Sequence, residues 1–192
     1  MKVNVIEISP SSSEAKELFK LLDFHNMSHC PPEVCHLTQP EDLEKIDSIL
    51  LGSYCDGILC GMGGLKLYED YAEITRMYVK EEFRGNKISL LLLKKLELKA
   101  LEKNKSKLKL ETSDKFKKAF SLYKRYGFKI CEPFGEYITK PHNTYMEMTI
   151  TPNQSIERDA RCALAPHAKR YAKKGVTKSK RGQSPLMEYS WF

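Results

Sequence analysis

The chain has 192 residues, of which 41% are hydrophobic and 30% charged, and its formal net charge is +7. That length suits one domain with an appendage and a sizeable buried core, and the composition is that of a soluble globular protein. Its longest purely apolar run, the four leucines at 90–93, falls far short of the roughly 20 residues that cross a bilayer, which excludes a membrane-spanning protein. The charge is uneven. Residues 151–192 hold nine cations against three anions, leaving 23 against 22 in residues 1–150. The basic character therefore belongs to the tail, and the expected division is a globular domain at 1–150 with a basic extension at 151–192. The opening "MKVNVIEISPSSSEAKELFK" has no continuous apolar core of the secretory kind, so a cytoplasmic location is expected. Six cysteines lie scattered at 30, 35, 55, 60, 131 and 162. Several fall inside apolar runs, which fits buried reduced thiols better than a disulfide framework.

"KVNVIEI" alternates apolar and polar residues and predicts a first strand. The serines at 11–13 can cap a helix in which Ala15, Leu18, Phe19, Leu21 and Leu22 share a face. Two adjacent prolines force a loop at "CPPEVCH", and a short helix follows from Pro40. "SILLGSYCDGILCGMGGLKLY" predicts two strands joined at Asp56 and Gly57, a two-residue hairpin signal. "YAEITRMYV" is the next strand. "FRGNKIS" then opens a helix over about residues 86–103, with Leu91, Leu92, Leu96 and Leu101 at helical spacing. "KLKLET" alternates as a strand. "DKFKKAFSLYKRYGF" predicts a helix with Asp114 as N-cap and Gly127 as its stop. "KICEPFG" and "TYMEMTI" predict the last two strands. The order β-α-α-β-β-β-α-β-α-β-β makes the fold class α/β with a mixed sheet rather than a doubly wound one.

Strand, turn and helix at "RGNKIS" form an arrangement suited to an anion, because unpaired amides and the helix dipole favour a phosphate there. Alone it is a short motif of low specificity. In order, however, the chain carries "AEITRMYV", "RGNKIS", "LLLKKLE", "LKLET", "LYKRYGF", "PFGEY" and "YMEM". This run resembles the GNAT superfamily of N-acetyltransferases, which use acetyl-coenzyme A. The resemblance covers residues 3–150 and is strongest over 71–145.

The resemblance implies a GNAT-like acyl-coenzyme A N-acyltransferase fold, with a splayed central sheet flanked by helices. It implies that acetyl-coenzyme A is the co-substrate and that no metal is needed. Met77, Tyr78 and Val79 would supply strand backbone to the pantetheine arm, and the amides of Arg84, Gly85, Asn86, Lys87, Ile88 and Ser89 would hold the pyrophosphate. The family pattern is Arg or Gln, two free positions, Gly, one free position, then Gly or Ala. Arg84 matches, whereas Lys87 and Ser89 depart. Because the bonds come from backbone, the departure reads as a modified cradle: a first-turn helical residue needs no positive φ, so glycine is not required at 87. Lys87 either adds a cation near the phosphates or is a solvated surface lysine.

Acyl transfer to an amine needs a base for the amine proton and a donor to the leaving sulfur. Glu73 stands where some family members draw their base, and alternation predicts that it shares a face with Thr75 and Met77. Its competing role is a sheet carboxylate paired with Arg76 or a lysine. Tyr123 matches the family tyrosine beside the sulfur, or is a core aromatic. Glu111 could bind the acceptor ammonium, replace Glu73 as base, or cap a helix. Glu33 and His36 lie where the family faces its acceptor, a small-molecule amine or a peptide, or they are ordinary members of a rigid proline turn. The cluster His25, His29, Cys30, Cys35 and His36 invites a zinc reading, but no second ligand pair follows at finger spacing. The tail is a solvated extension, a localisation signal or a polyanion tether, and nucleic acid is expected only through it. A non-catalytic acyl-coenzyme A binder is the competing function.

Overall fold

The computed structural model describes residues 2–29, 38–137, 142–153 and 155. Cys30, Glu33, Cys35, His36, Cys162 and nearly all of the basic extension lie outside them. The elements run β1 (Val3–Glu7), α1 (Ser13–Met27), α2 (Pro40–Lys45), β2 (Ser48–Cys55), β3 (Ile58–Leu67), β4 (Ala72–Val79), α3 (Ile88–Glu102), β5 (Lys107–Ser113), α4 (Lys117–Tyr126), β6 (Lys129–Cys131) and β7 (Asn143–Thr149). This is the order read from the pattern. A single mixed seven-stranded sheet, ordered β1-β2-β3-β4-β5-β7-β6, carries helices on both faces. Among the described residues no helix is long and apolar enough to cross a membrane.

Local chemistry explains most boundaries. The Ser12 hydroxyl accepts from the Ala15 amide at 3.2 Å and starts α1, which buries Ala15, Leu18, Phe19 and Leu22. Leu21, expected on that face, is exposed. Asp56 and Gly57 both adopt positive φ (49° and 88°), the twist a two-residue hairpin needs. Gly127 takes φ 127° and stops α4. Its start differs from expectation: α4 begins after Phe116 without a side-chain cap. Asp114 instead sits beside the His142 ring at 3.2 Å, because the chain is still turning off β5 at that point.

The expectation of reduced thiols fails at one pair. Cys60 is the extra residue of a bulge opposite Ser53 and Tyr54. The bulge turns Cys60 onto the face that Cys55 occupies, and the two sulfurs are joined as a disulfide within the hairpin. Cys131 is the free cysteine among the described residues.

A second bulge shapes the functional end of the sheet. Met62 pairs with Tyr78 and Gly64 with Thr75, so Arg76 and Met77 of β4 oppose Gly63 alone. Arg76 absorbs the extra residue at φ 53°. A Cβ on Gly63 would approach the Met77 sulfur to 2.6 Å, so any larger residue there would displace the Met77 side chain. The bulge also reverses alternation. Ala72, Ile74, Met77 and Val79 pack toward α3, while Tyr78 packs with the α1 cluster. Glu73 therefore shares a face with Thr75 but not with Met77, which corrects the simple two-residue period.

Two cores result. Leu92, Leu93, Leu96 and Ala100 of α3 fill one face together with β4, β5, β7 and α4. Leu18, Phe19, Leu22 and Leu43 fill the other against Leu50, Leu59 and Met62. Each core holds a charged side chain. Glu97 of α3 is fully buried and accepts from the Tyr126 hydroxyl at 2.6 Å. Arg76 reaches across to α1, where it pairs with Asp23, donates to the Thr38 carbonyl and lies over the Phe19 ring.

Candidate active site

β4 and β5 are parallel and pair only from Ala72 to Ile74, against Leu108 to Leu110. Beyond Ile74 the bulge carries β4 away, while β5 continues on β7 as far as Ser113. One edge of Thr75, Arg76, Met77, Tyr78 and Val79 is thus left out of the ladder. A cleft of about 2100 Å³ opens in the gap. Along it lie Glu73, Met77, Tyr78, Val79, Arg84, Gly85, Lys87, Ser89, Glu111 and Tyr123. The side chains of Asn86 and Ile88 turn elsewhere: Asn86 donates to the Phe83 carbonyl at 3.1 Å, and Ile88 is buried under α3.

At one end, the turn before α3 is held by its own arginine. Arg84 Nε donates to the Val79 carbonyl at 3.1 Å, Nη1 meets Glu81 at 2.9 Å, and the guanidinium lies 5.8 Å from the Tyr78 ring centre. Lys87 is the N-cap of α3 and contributes no side-chain cap, so the first amides of a 15-residue helix open toward the cleft. Gly85 at φ 87° has nothing within 4 Å of a built Cβ, which leaves room for a bulky anion.

The expectation for Lys87 is corrected here. Lys87 precedes the helix instead of sitting in its first turn, and it adopts φ 60° and ψ 13° in the left-handed region. The family glycine at this position has a backbone reason after all. Lys87→Gly is expected to stabilise the fold by about 1 kcal/mol, read as a higher urea midpoint with unchanged slope. An unchanged midpoint would show that the lysine side chain offsets the strain.

Farther along the gap, Tyr123 of α4 is buried, and burial drives its phenol well above the ordinary tyrosine value, so the group remains a donor. Its ring packs edge-on to Phe128 at 5.8 Å. Glu73 is 2% exposed and accepts from the Tyr137 hydroxyl at 2.6 Å. Arg76 is directed to Asp23, so the pairing of Glu73 with Arg76 does not form. Leu108 and Leu110 belong to the α3 core, which places Glu111 on the opposite face with Glu73. The Asn143 amide donates to Glu111.

Several cleft residues escaped the motif reading. Tyr137 comes from the turn after β6 and Asn143 from the start of β7, and "PFGEY" was the one signal for the former. His25 stacks on Phe116 at 5.7 Å, and His29 lies 4.7 Å from His25. Burial, then His29 and Arg84, lower the His25 pKa, favouring the neutral ring. These two histidines, whose spacing invited a zinc reading, pack as aromatic walls between α1 and the start of α4. Among the described residues no group of three His, Cys, Asp or Glu could hold a metal ion.

A splayed mixed sheet, a helix N-terminus open to an anion, and a carboxylate and a phenol facing one gap define an acyl-group transferase. The model of the acetyltransferase (GNAT) family matches residues 17–128. The chain belongs to that family and is an acyltransferase. An IAA acetyltransferase of Azospirillum brasilense is 31% identical over 76% of this chain and 96% of its own length. A candidate acyl-CoA N-acyltransferase of Klebsiella pneumoniae superposes with a TM-score of 0.67 at 26% identity, covering 78% of this chain and 98% of its own. The Thermoplasma acidophilum PaiA N-acetyltransferase, solved with coenzyme A, superposes at 0.62 with 21% identity over 78% of this chain and 100% of its own.

Proposed function

We propose that the protein transfers an acetyl group from acetyl-coenzyme A to a primary amine of a small molecule or peptide, by direct attack. The observation that carries this reading is the parting of β4 from β5 beside Glu73 and Tyr123, with the uncapped start of α3 at the far end. The amides of residues 85–89 bind the pyrophosphate, that of Arg84 being taken by the Glu81 carbonyl at 3.1 Å, and the free edge of Met77, Tyr78 and Val79 bonds the pantetheine arm. An amide of that edge also polarises the thioester carbonyl as charge grows on its oxygen. Glu73 accepts the proton that the amine loses, directly or through one water. Tyr123 donates to the sulfur as the C–S bond breaks. Since its phenol titrates above a thiol, it stabilises the departing thiolate chiefly through that hydrogen bond. Glu111, on the same face as Glu73, holds the cationic acceptor before reaction. The catalytic unit is residues 1–150, and the basic extension stands outside the chemistry.

Two measurements test this in order. Acetyl-coenzyme A at about 100 times its Kd should stabilise the fold by about 2.7 kcal/mol, read as a rise in melting temperature. Absence of any rise retires the donor. Thiol release is then followed with 1,4-diaminobutane, phenethylamine, glycine and a lysine peptide. Amine-dependent release is expected. Binding without release from any amine would mark a non-catalytic acyl-coenzyme A binder.

A further inference from the structure

Tyr137 closes the turn after β6. Its amide bonds the Phe134 carbonyl at 3.1 Å. Between them Gly135 adopts φ 57°, where an added Cβ would stand 2.9 Å from the Tyr71 hydroxyl. Any other residue would be strained in this turn. The turn sets the Tyr137 ring edge-on to Phe134 at 5.1 Å and tilted against Tyr145 at 5.6 Å. Wedged between these rings, the hydroxyl meets Oε1 of Glu73 at 2.6 Å, the short range of a charge-assisted hydrogen bond. Burial, then the charge of Glu73, raises the Tyr137 phenol far above its ordinary value, with Glu111 adding to the effect. The phenol therefore keeps its proton and always acts as the donor.

We infer that Tyr137 is a positioning residue for the transfer step: its hydroxyl holds the Glu73 carboxylate toward the gap between β4 and β5 in one orientation. The inference rests on Glu73 being the base. A glutamate alone has rotamers to spare and a charge that burial opposes. The 2.6 Å bond from Tyr137 fixes which way Oε1 points, while the phenol's own proton takes no part in the transfer. The groups facing this pair are Tyr68 and Tyr71 from the turn before β4, whose phenols burial, and then the charge of Glu73, raise. From β5 come Lys109, opposite Glu73 in register and lying over the Tyr71 and Phe134 rings, and Glu111. β7 contributes Tyr145, and Glu136 adds its charge near Tyr68. Tyr68 also directs its hydroxyl to Glu73, and Tyr137 makes the 2.6 Å bond to Oε1 out of the turn after β6.

The test compares Tyr137→Phe, which keeps the ring contacts, with Glu73→Gln. Losing a donor to a carboxylate favours the neutral acid. In protein labelled with carboxyl-13C glutamate, the signal missing from Glu73→Gln belongs to Glu73. Its titration midpoint is expected to move up by about one pH unit in Tyr137→Phe. The acid limb of kcat/KM against pH, measured with acetyl-coenzyme A and 1,4-diaminobutane, moves up with it, and KM for acetyl-coenzyme A holds steady. A Glu73 midpoint that stays put overturns the inference. Undiminished turnover in Glu73→Gln is a separate failure: the base lies elsewhere, and the positioning role falls with it even where the NMR shift appears. A titration midpoint is independent of how much protein is folded, so a weakened Tyr137→Phe variant still gives an answer.

Discussion

Tyr123→Phe is expected to lower kcat by about 100-fold, the low end of what a positioned proton donor contributes, while acetyl-coenzyme A binds as before. The substitution is unusually clean. The ring packs against Phe128 and is buried at the inner face of α4, so phenylalanine keeps the packing and deletes only the hydroxyl. In the ground state the sulfur is a neutral thioester and gains little from a donor. Charge accumulates on it only as the C–S bond breaks, so the loss belongs to kcat and not to binding. Steady-state kinetics with thiol detection and a thermal-shift titration of acetyl-coenzyme A separate the two. Unchanged turnover would reduce Tyr123 to a core aromatic.

Asp23→Ala is expected to destabilise the protein by about 3 kcal/mol, because it strands the Arg76 guanidinium in the core. The Arg76 side chain is 3% exposed and its Nε already lacks a partner among the described residues. Burial works to lower its pKa, and Asp23 is the main opposing influence. The pair ties α1 to the bulge that parts β4 from β5, so the damage should reach the cleft. Chemical denaturation reads the loss. The double replacement Asp23→Leu with Arg76→Met is expected to recover most of it, since an apolar pair of similar volume avoids the desolvation cost. If the double variant is no more stable than Asp23→Ala, the pair contributes more than mutual neutralisation.

Much of the fold was legible because its determinants are local. Every strand and helix followed from periodicity, from the Asp56 and Gly57 hairpin, and from glycine at the end of α4. The family resemblance carried by "AEITRMYV", "RGNKIS" and "LYKRYGF" implied that Glu73, Tyr123 and the turn before α3 face one gap, and all three line the cleft. Two of the errors share a cause. Met77 and Cys60 each depend on one extra residue in a strand, a change of register that pattern alone passes over, and the pairing of Cys55 with Cys60 follows from it. Lys87 and the start of α4 are different: there the helix begins a residue or more later than the pattern suggests.

The sequence by itself determined the element order, the family and the turn that opens α3, since each is written in residues close together along the chain. Only tertiary structure decided which partners the buried charges take. Arg76 goes to Asp23 and Glu97 to Tyr126, while Glu73 goes to Tyr137, 64 residues away. Long-range pairs of this sort are chosen by which side chains the packed sheet brings within hydrogen-bond reach. No local spacing carries that information, because a buried charge settles on whatever donor the fold leaves beside it.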